Sequence, residues 1–199
     1  MPGARQDLRR ALNALAFGQA GYFTAAQALG VGYSYQAQKH HADTGNWVRV
    51  DRGLFRLPEW PTGPDDTYVR WCLWSGQRGV VSHDSALRVH GLSDVDPPRV
   101  HLSVPPAFAA RDDLVVLHRA HLADDDCESR PGWRVTTPLR TLVDAAASEL
   151  SQEAIDAAVA DALRLGLTTR RRLLRRTSDA VDRAALRLER ALTRADADA

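Results

Sequence analysis

Polar and apolar residues recur along the first sixty positions at spacings that predict three helices and a hairpin. Leucines three and four positions apart form the apolar stripe of a first helix, which ends at the two glycines of FGQAGYF. Thr24 is the predicted N-cap of a short helix, AAQALG, with a capping-box glutamine three positions on. After a glycine turn, YSYQAQKHHADTG predicts another helix, capped by Ser34 or by the nearby Gly32 and closed by Gly45.

The segment 46–60, NWVRVDRGLFRLPEW, predicts a two-stranded β-hairpin whose turn is Arg52-Gly53. In that register one face is apolar and buried, formed by Val48, Val50, Phe55 and Leu57. On the other face Arg49 stands opposite Arg56, and like charges in that position destabilise a strand pair. Two explanations stand side by side: the three hairpin arginines contact nucleic-acid phosphates, or they keep an exposed ribbon soluble and discourage edge pairing.

Helix, short helix, tight turn, helix and hairpin is the order of a winged helix-turn-helix. In that arrangement the second helix of the pair enters the DNA major groove, with the hairpin beside the backbone or in the minor groove. We expect base-edge contacts from Gln36, Gln38 and Lys39, because glutamine pairs bidentately with adenine and lysine contacts guanine. Ser34 and Tyr35 are expected to contact phosphates. The alternative for all five residues is a solvated polar helix face.

A proline-rich stretch separates this part of the chain from the rest. PEWPTGPDD, residues 58–66, has three prolines and a glycine and predicts a linker between a first domain, 1–60, and a second, 65–199. The expected fold class is α+β, with an N-terminal winged helix-turn-helix followed by a mixed α/β domain with a helical C-terminus.

The second domain mixes helical and strand patterns. TYVRWCLWSG and SHDSALRVHGL predict helices, the latter with Ser82 as N-cap, whereas RVHLSVP and DLVVLHR predict strands. WRVTTPLRTLVDAAA predicts a strand followed by a helix that begins with Thr137 as N-cap and Pro138 at its first position. DDDCESRPG is loop-like in composition, and Ser151 to about Arg194 predicts two or three helices.

Composition is that of an ordinary globular protein, with 44% hydrophobic and 26% charged residues in 199. The formal net charge of +1 hides a sorting by region, because both ends are basic and the middle is acidic. No apolar run approaches the roughly 20 residues of a membrane span, and no signal peptide is evident, so we expect a cytoplasmic protein. The two cysteines, Cys72 and Cys127, are expected to be idle thiols in a reduced compartment.

Two sets of segments resemble one protein family. GYFTAAQALGVGYSYQAQKHHADTGNWVRVDRGLFRLPEWP is similar to the N-terminal winged-helix domain of AbiEi-type antitoxins, from bacterial abortive-infection (type IV) toxin-antitoxin systems. VVSHDSALRVHGLSDVDPPRVHLSVP and VTTPLRTLVDAAA resemble the second domain of the same family. The resemblance extends over residues 20–165. One departure concerns the second helix of the pair, which usually carries several arginines and here offers Lys39, glutamines, tyrosines and histidines.

The resemblance implies a transcriptional autorepressor that binds inverted repeats in its own promoter. It also implies a partner, a nucleotidyltransferase-like toxin that the antitoxin counteracts. The low charge of the second helix motivates an alternative, in which the chain is a protein-binding antitoxin module that neutralises the toxin by direct contact without significant DNA binding.

Other candidate sites are weaker. TTRRRLLRRT predicts a helix with Leu173 and Leu174 facing inward and five arginines on the outside, at 170, 171, 172, 175 and 176. Three roles are open for these arginines: a solvated face, binding of phosphates or of the toxin, or docking on the acidic run 124–126. Among the histidines only His118 and His121 are close enough in sequence to suggest a metal-binding pair, and no cysteine pair or carboxylate motif accompanies them, so no metal is expected.

Enzyme motifs are missing from the sequence. Three consecutive residues, Ser82, His83 and Asp84, cannot converge as a catalytic triad, and capping and helix packing are their expected roles. The sequence has no GK dipeptide of a phosphate-binding loop and no GS dipeptide of a nucleotidyltransferase. Nucleases of the restriction-like class place a lysine near paired carboxylates, and the single lysine of this sequence lies in the first domain. We therefore expect no catalytic residues, no cofactor and no enzyme activity.

Overall fold

The structure is a computed structural model, and it describes residues 2–177 and 182–197, which adopt an α+β fold. By its internal contacts the chain divides into two compact units. The first runs as far as Arg78 and also includes Arg130–Trp133; the second comprises Gly79–Ser129 and the chain from Arg134 onward.

The first unit is a winged helix-turn-helix followed by one more helix. Its elements are α1 (Pro2–Phe17), β1 (Tyr22–Thr24), α2 (Ala25–Val31), α3 (Tyr35–Asp43), β2 (Val48–Asp51), β3 (Leu54–Arg56) and α4 (Asp66–Trp74). The three strands form an antiparallel sheet in the order β1-β3-β2. The predicted α+β class is thus confirmed, while α4, which the sequence analysis assigned to the second domain, groups with the first unit.

Aromatic rings form the centre of the first unit. Phe23 of β1 packs edge-on against Trp47, with ring centroids 4.8 Å apart, and is stacked on Phe55 of β3 at 5.8 Å. Leu12 of α1 and Tyr33, between the two short helices, complete this core. All five side chains are buried, and burial of such large apolar groups is the main source of stability in a small domain.

Local capping defines the helix-turn-helix as the sequence predicts. The Thr24 side chain accepts from the backbone N–H of Gln27, whose side chain accepts in return from the Thr24 N–H. Ser34 Oγ accepts from the N–H of Ala37 at the start of α3. Gly32 ends α2 at φ +118°, and a Cβ there would lie 2.8 Å from Leu8 Cδ2, so only glycine fits this turn.

The hairpin differs from its predicted register. Its turn is at the expected place, since Asp51 pairs with Leu54, but an irregularity between Arg49 and Asp51 shifts the strands. Arg49 therefore pairs with Phe55, and Arg56 pairs with Val48. The expected Arg49–Arg56 opposition and the charge conflict that it implied are wrong. The predicted apolar face is wrong in part as well, because Val48 is 46% exposed.

The second unit contains the remaining helices and a five-stranded mixed sheet, apart from the strand-end residues Arg130 and Trp133, which group with the first unit. Its elements are β4 (Val80–Val81), α5 (His83–His90), β5 (Val100–Val104), β6 (Val115–Arg119), a 3-10 turn (Asp124–Asp126), β7 (Cys127–Arg130), β8 (Trp133–Thr136), α6 (Pro138–Ala147), α7 (Gln152–Arg164), α8 (Arg170–Thr177) and α9 (Asp182–Ala197). The sheet order is β6-β5-β4-β8-β7, with β5 antiparallel to β4 and parallel to β6.

A helical core fills the second unit. Leu87 of α5, Leu142 of α6, Ile155 of α7, Leu173 of α8 and Leu188 of α9 are all buried in one apolar cluster. The start of α6 matches its prediction, with the Thr137 side chain accepting from the Arg140 N–H and Pro138 at the first position. The expected loop DDDCESRPG contains instead the 3-10 turn and β7.

No helix in the described parts of the chain is long and apolar enough to cross a membrane. Neither Cys72, which is buried, nor Cys127, which is half-buried, forms a disulfide.

Candidate nucleic-acid interface

One face of α3 projects into solvent. Tyr35, Gln36, Lys39, His40 and Asp43 are exposed at positions that recur with the helical repeat. Tyr35 is 67% exposed, which leaves both its ring and its hydroxyl open to contact from outside. Ser34, also exposed, caps the helix through its oxygen, and its hydroxyl hydrogen is free to donate to a phosphate. This face combines donors, acceptors and one aromatic ring.

Gln38 does not belong to that face, and its prediction as a base-reading residue is corrected. Its side chain is 2% exposed, and Nε2 donates to the carbonyl oxygens of Ala25 and Tyr33, each at 3.0 Å. These bonds tie α3 to the start of α2 and to the turn between the two helices. Gln38 therefore fixes the helix pair, because a buried amide with two satisfied donors stabilises a single arrangement.

The hairpin presents Arg49 and Arg52 to solvent, as predicted. The Arg49 guanidinium lies 5.7 Å from the Phe55 ring centroid, a cation–π contact that orients the side chain without neutralising it. At the turn, the backbone N–H of Arg52 donates to Asp51 Oδ1 at 2.6 Å, and Arg52 itself is exposed.

Arg56 is not part of this positive edge, and its prediction as a phosphate contact is corrected. Its guanidinium pairs with Asp66 of α4, and the two side chains are only 18% and 12% exposed. Arg56 also donates to the carbonyl oxygens of Ala20, at 3.4 Å, and Pro61, at 3.2 Å, and lies over the Tyr22 ring at 4.9 Å. It fastens the sheet to the segment that leads into α4.

Asp43 is the residue that sequence reasoning missed. It forms an ion pair with Lys39 at 2.5 Å, and the pKa of its carboxyl is lowered by that hydrogen bond and further by the nearby charge of Arg49. One anion is thus placed between the two cations of α3 and the hairpin that are expected to meet DNA. The spacing of Lys39 and Asp43, four residues apart on a helix, is the signal that identifies the pair.

The two adjacent histidines of α3 point to different sides. His40 is exposed, whereas His41 stacks on Trp47 with ring centroids 4.7 Å apart and an interplanar angle of 16°. Burial lowers the pKa of His41 from its ordinary value, and the neighbouring His40 lowers it further. His41 is consequently a neutral packing group at pH 7, and only His40 is on the outward side of the helix.

The arginine cluster of α8 has mixed roles. Arg176 docks on Asp126 with Nη2 at 2.8 and 3.0 Å from the two carboxylate oxygens, as the internal-docking alternative expects. Arg170 pairs with Asp196 at 2.5 Å. Leu174 is 40% exposed, so its predicted inward position is wrong; Leu173 alone of the two leucines is buried.

Histidines from three elements of the second unit form a half-buried cluster that sequence spacing did not reveal. The His83 and His118 rings stack 3.4 Å apart, and His118 Nε2 lies 3.2 Å from His101 Nδ1. Desolvation lowers the pKa of His83 to about 2 and that of His118 to about 4. Ser82 stands at the N-cap position of α5, but its hydroxyl bonds His83 Nδ1 at 2.9 Å instead of capping the helix.

This cluster is not a metal site by geometry. Within residues 2–177 and 182–197, no group of three or more His, Cys, Asp or Glu side chains is arranged to hold a metal ion. The ring of His118, the histidine nearest to His121 in the sequence, contacts His83 and His101.

Comparison with known proteins finds a likeness to a solved structure. No family model matches this sequence, and no curated protein matches it. Among solved structures, the crystal structure of the RV2827C protein from Mycobacterium tuberculosis superposes with a TM-score of 0.63 at 20% sequence identity, covering 94% of this chain and 76% of that one. At this level of identity the likeness concerns the fold alone, and the two proteins share this α+β architecture along nearly all of the chain described here.

Proposed function

We propose that this protein binds double-stranded DNA through α3 and the β2–β3 hairpin and acts in the cytoplasm as an antitoxin that represses its own promoter. The observation that carries the DNA-binding part is the exposed face of α3 beside two solvent-facing arginines of the hairpin. A helix of this kind fits the major groove, and a basic hairpin beside it meets the phosphate backbone.

The helix α3 and the hairpin are expected to contribute differently to DNA binding, because their exposed side chains differ in chemistry. Gln36 carries both a donor and an acceptor to the exposed end of α3, and is the best-placed side chain for pairing with an adenine edge. Arg49 and Arg52 supply charge without base selectivity, each contributing about −0.9 to the slope of log K against log salt when it neutralises one phosphate. We therefore expect sequence preference to arise in α3 and affinity to arise chiefly in the hairpin.

The antitoxin part of the proposal rests on the resemblance of the sequence to AbiEi-type antitoxins. It implies that inverted repeats upstream of the gene are the operator and that a nucleotidyltransferase-like toxin is counteracted. A gene for such an enzyme beside this one, and rescue of cells from that enzyme by co-expression of this protein, are the expected outcomes. A neighbouring enzyme that remains toxic despite co-expression would remove the antitoxin assignment but not DNA binding.

Fluorescence anisotropy with labelled upstream DNA tests DNA binding directly. The Arg49→Ala, Arg52→Ala double variant should flatten the salt slope by about 0.9 per lost contact, with weaker binding to every sequence. Gln36→Ala should alter the ranking of operator variants instead. Arg111→Ala, an exposed arginine of the second unit, is the matched control and should change neither quantity. If the folded wild-type protein shows no anisotropy change at low salt, DNA binding is excluded.

A second function has its own supporting observation. Lys39, the only lysine, is paired with Asp43, so the outward face of α3 has little net charge. A surface of that kind also suits a protein partner, and it supports the alternative of an antitoxin that neutralises its toxin by direct contact. Co-purification of the toxin with the full chain, together with unchanged DNA mobility, is the result that favours this alternative over repression.

A further inference from the structure

A cavity of about 840 Å³ opens within the first unit. It is bounded by α1, by the C-terminal end of α3 with the turn that follows it, and by residues 57–60 after the hairpin. Its volume is in the range of small-molecule sites in proteins, which lies at roughly 300–1,000 Å³. The exposed faces that are proposed to meet DNA contribute none of its lining residues: Tyr35, Gln36, Lys39, Arg49 and Arg52 are all elsewhere.

Aromatic rings supply much of the cavity wall. Trp47 and His41 stack nearly in parallel on one side, and Phe17 and Trp60 meet edge-to-face with centroids 5.6 Å apart on another. Phe17 is 75% exposed although it is the last residue of α1 and a large apolar ring. A planar ring in the cavity would cover such surfaces and gain the offset or edge-to-face contacts that aromatic pairs prefer.

One polar group without a protein partner among the described residues borders this space. Tyr33 lines the cavity and is 8% exposed, yet no hydrogen bond among the described residues uses its hydroxyl. Burial raises the pKa of Tyr33, so the hydroxyl keeps its proton at neutral pH and is a donor. A phenol hydroxyl donates one hydrogen bond, and an acceptor atom of a ligand in the cavity would receive it.

The charged side chains that line the cavity indicate which acceptor group a ligand would carry. Arg9 of α1 also lines the cavity, and its positive charge acts on Tyr33, where it opposes the effect of burial on the pKa. None of the ion pairs found in residues 2–177 and 182–197 involves Arg9. A guanidinium and a phenol hydroxyl together match the two oxygens of a carboxylate. Glu59 on the same lining disfavours more than one negative charge, which argues for a carboxylate rather than a phosphate dianion.

We propose that this cavity is a binding site for a small planar aromatic carboxylate. The ring lies among Phe17, Trp47 and Trp60, and the carboxylate accepts from the Tyr33 hydroxyl and pairs with Arg9. This inference is independent of DNA binding, since it requires neither the outward face of α3 nor the hairpin arginines.

Isothermal titration calorimetry of the full chain with indole-3-acetate tests the site. Saturable binding at one site per chain is expected, with a dissociation constant at or below the millimolar range that suits a ligand of this size. Indole, which lacks the carboxylate, and cyclohexanecarboxylate, which lacks the planar ring, should each bind at least about tenfold more weakly, because each loses one of the two recognition elements.

Single-residue variants distinguish binding at this site from nonspecific binding. Tyr33→Phe and Arg9→Gln should each weaken binding of indole-3-acetate by about tenfold, the loss that one hydrogen bond to a charged group causes. Arg10→Gln is the matched control, because Arg10 is next in sequence, pairs loosely with Asp7 at 3.8 Å and does not line the cavity. Circular dichroism establishes that each variant is folded. Absence of saturable binding by the folded wild-type protein, or equal affinity of all three variants, overturns the proposal.

Discussion

Replacement of Arg56 by alanine distinguishes the structural role of this residue from the phosphate contact that the sequence suggested. The ion pair of Arg56 with Asp66 is largely removed from solvent, with side-chain exposures of 18% and 12%. Removal of one partner leaves the other charge buried and unpaired, which costs roughly 3–5 kcal/mol in buried pairs. Because a small fraction of each side chain still reaches water, we expect Arg56→Ala to lower the free energy of unfolding by about 3 kcal/mol.

Equilibrium unfolding in urea, followed by tryptophan fluorescence, measures this quantity. Arg52→Ala is the matched control, since Arg52 is exposed at the hairpin turn, and it should change the free energy of unfolding by less than about 0.5 kcal/mol. The double variant Arg56→Met, Asp66→Leu should recover most of the loss, because it removes both charges and fills the space with apolar groups.

The refuting result is specific. The reasoning is refuted if Arg56→Ala lowers the free energy of unfolding by less than about 1 kcal/mol and also flattens the salt slope of DNA binding as Arg49→Ala does. Arg56 would then belong to the DNA interface, and its ion pair with Asp66 would contribute little to stability.

Three further predictions follow from the described contacts. Asp43→Asn should tighten DNA binding by about threefold at low salt, measured by anisotropy, because it removes an anion that interacts with both Lys39 and Arg49. Gly32→Ala should lower the free energy of unfolding by about 1–3 kcal/mol, since φ is +118° and its Cβ would collide with Leu8; thermal unfolding measures the loss. Stability should fall as the pH drops below about 6.5 toward 4, because the unfolded chain takes up protons on His118 before the folded one does; His118→Gln should weaken this dependence in urea titrations at pH 7 and pH 5.

Features encoded by adjacent residues were predictable from the sequence. The capping box at Thr24, the cap at Ser34 and the Thr137–Pro138 start of α6 each depend on residues no more than three positions apart, and each is found where it was expected. These signals suffice to order the elements of a winged helix-turn-helix. They also suffice for the α+β class, because class depends on which elements occur rather than on how they pack.

Features that depend on tertiary packing were not predictable. A single extra residue in β2 changed the partner of Arg49 from Arg56 to Phe55, and nothing in the strand sequence indicates it. Gln38 has the same polar character as Gln36, yet the approach of α2 buries one amide and leaves the other in solvent. The very short strands β1 and β4 lack the length at which alternation can be recognised.

The histidine cluster illustrates the same limit at longer range. His83, His101 and His118 lie in α5, β5 and β6, and only the parallel pairing of β5 with β6 brings the last two side by side. His118 and His121 are closer along the chain, yet the ring contacts of His118 are with His83 and His101.

The short segment Arg130–Trp133 gives the first unit a particular order of assembly during synthesis. Trp133 packs against Tyr68 of α4 with ring centroids 4.9 Å apart, and Gly132 is so close to the Gly18 carbonyl oxygen that a Cβ would lie 2.9 Å from it. During translation, the chain up to Arg78 is synthesised more than fifty residues before the segment Arg130–Trp133. The first unit therefore stays incomplete, with the Tyr68 ring of α4 uncovered, until Trp133 at the start of β8 has been translated. Completion of its fold is coupled to synthesis of the next part of the protein.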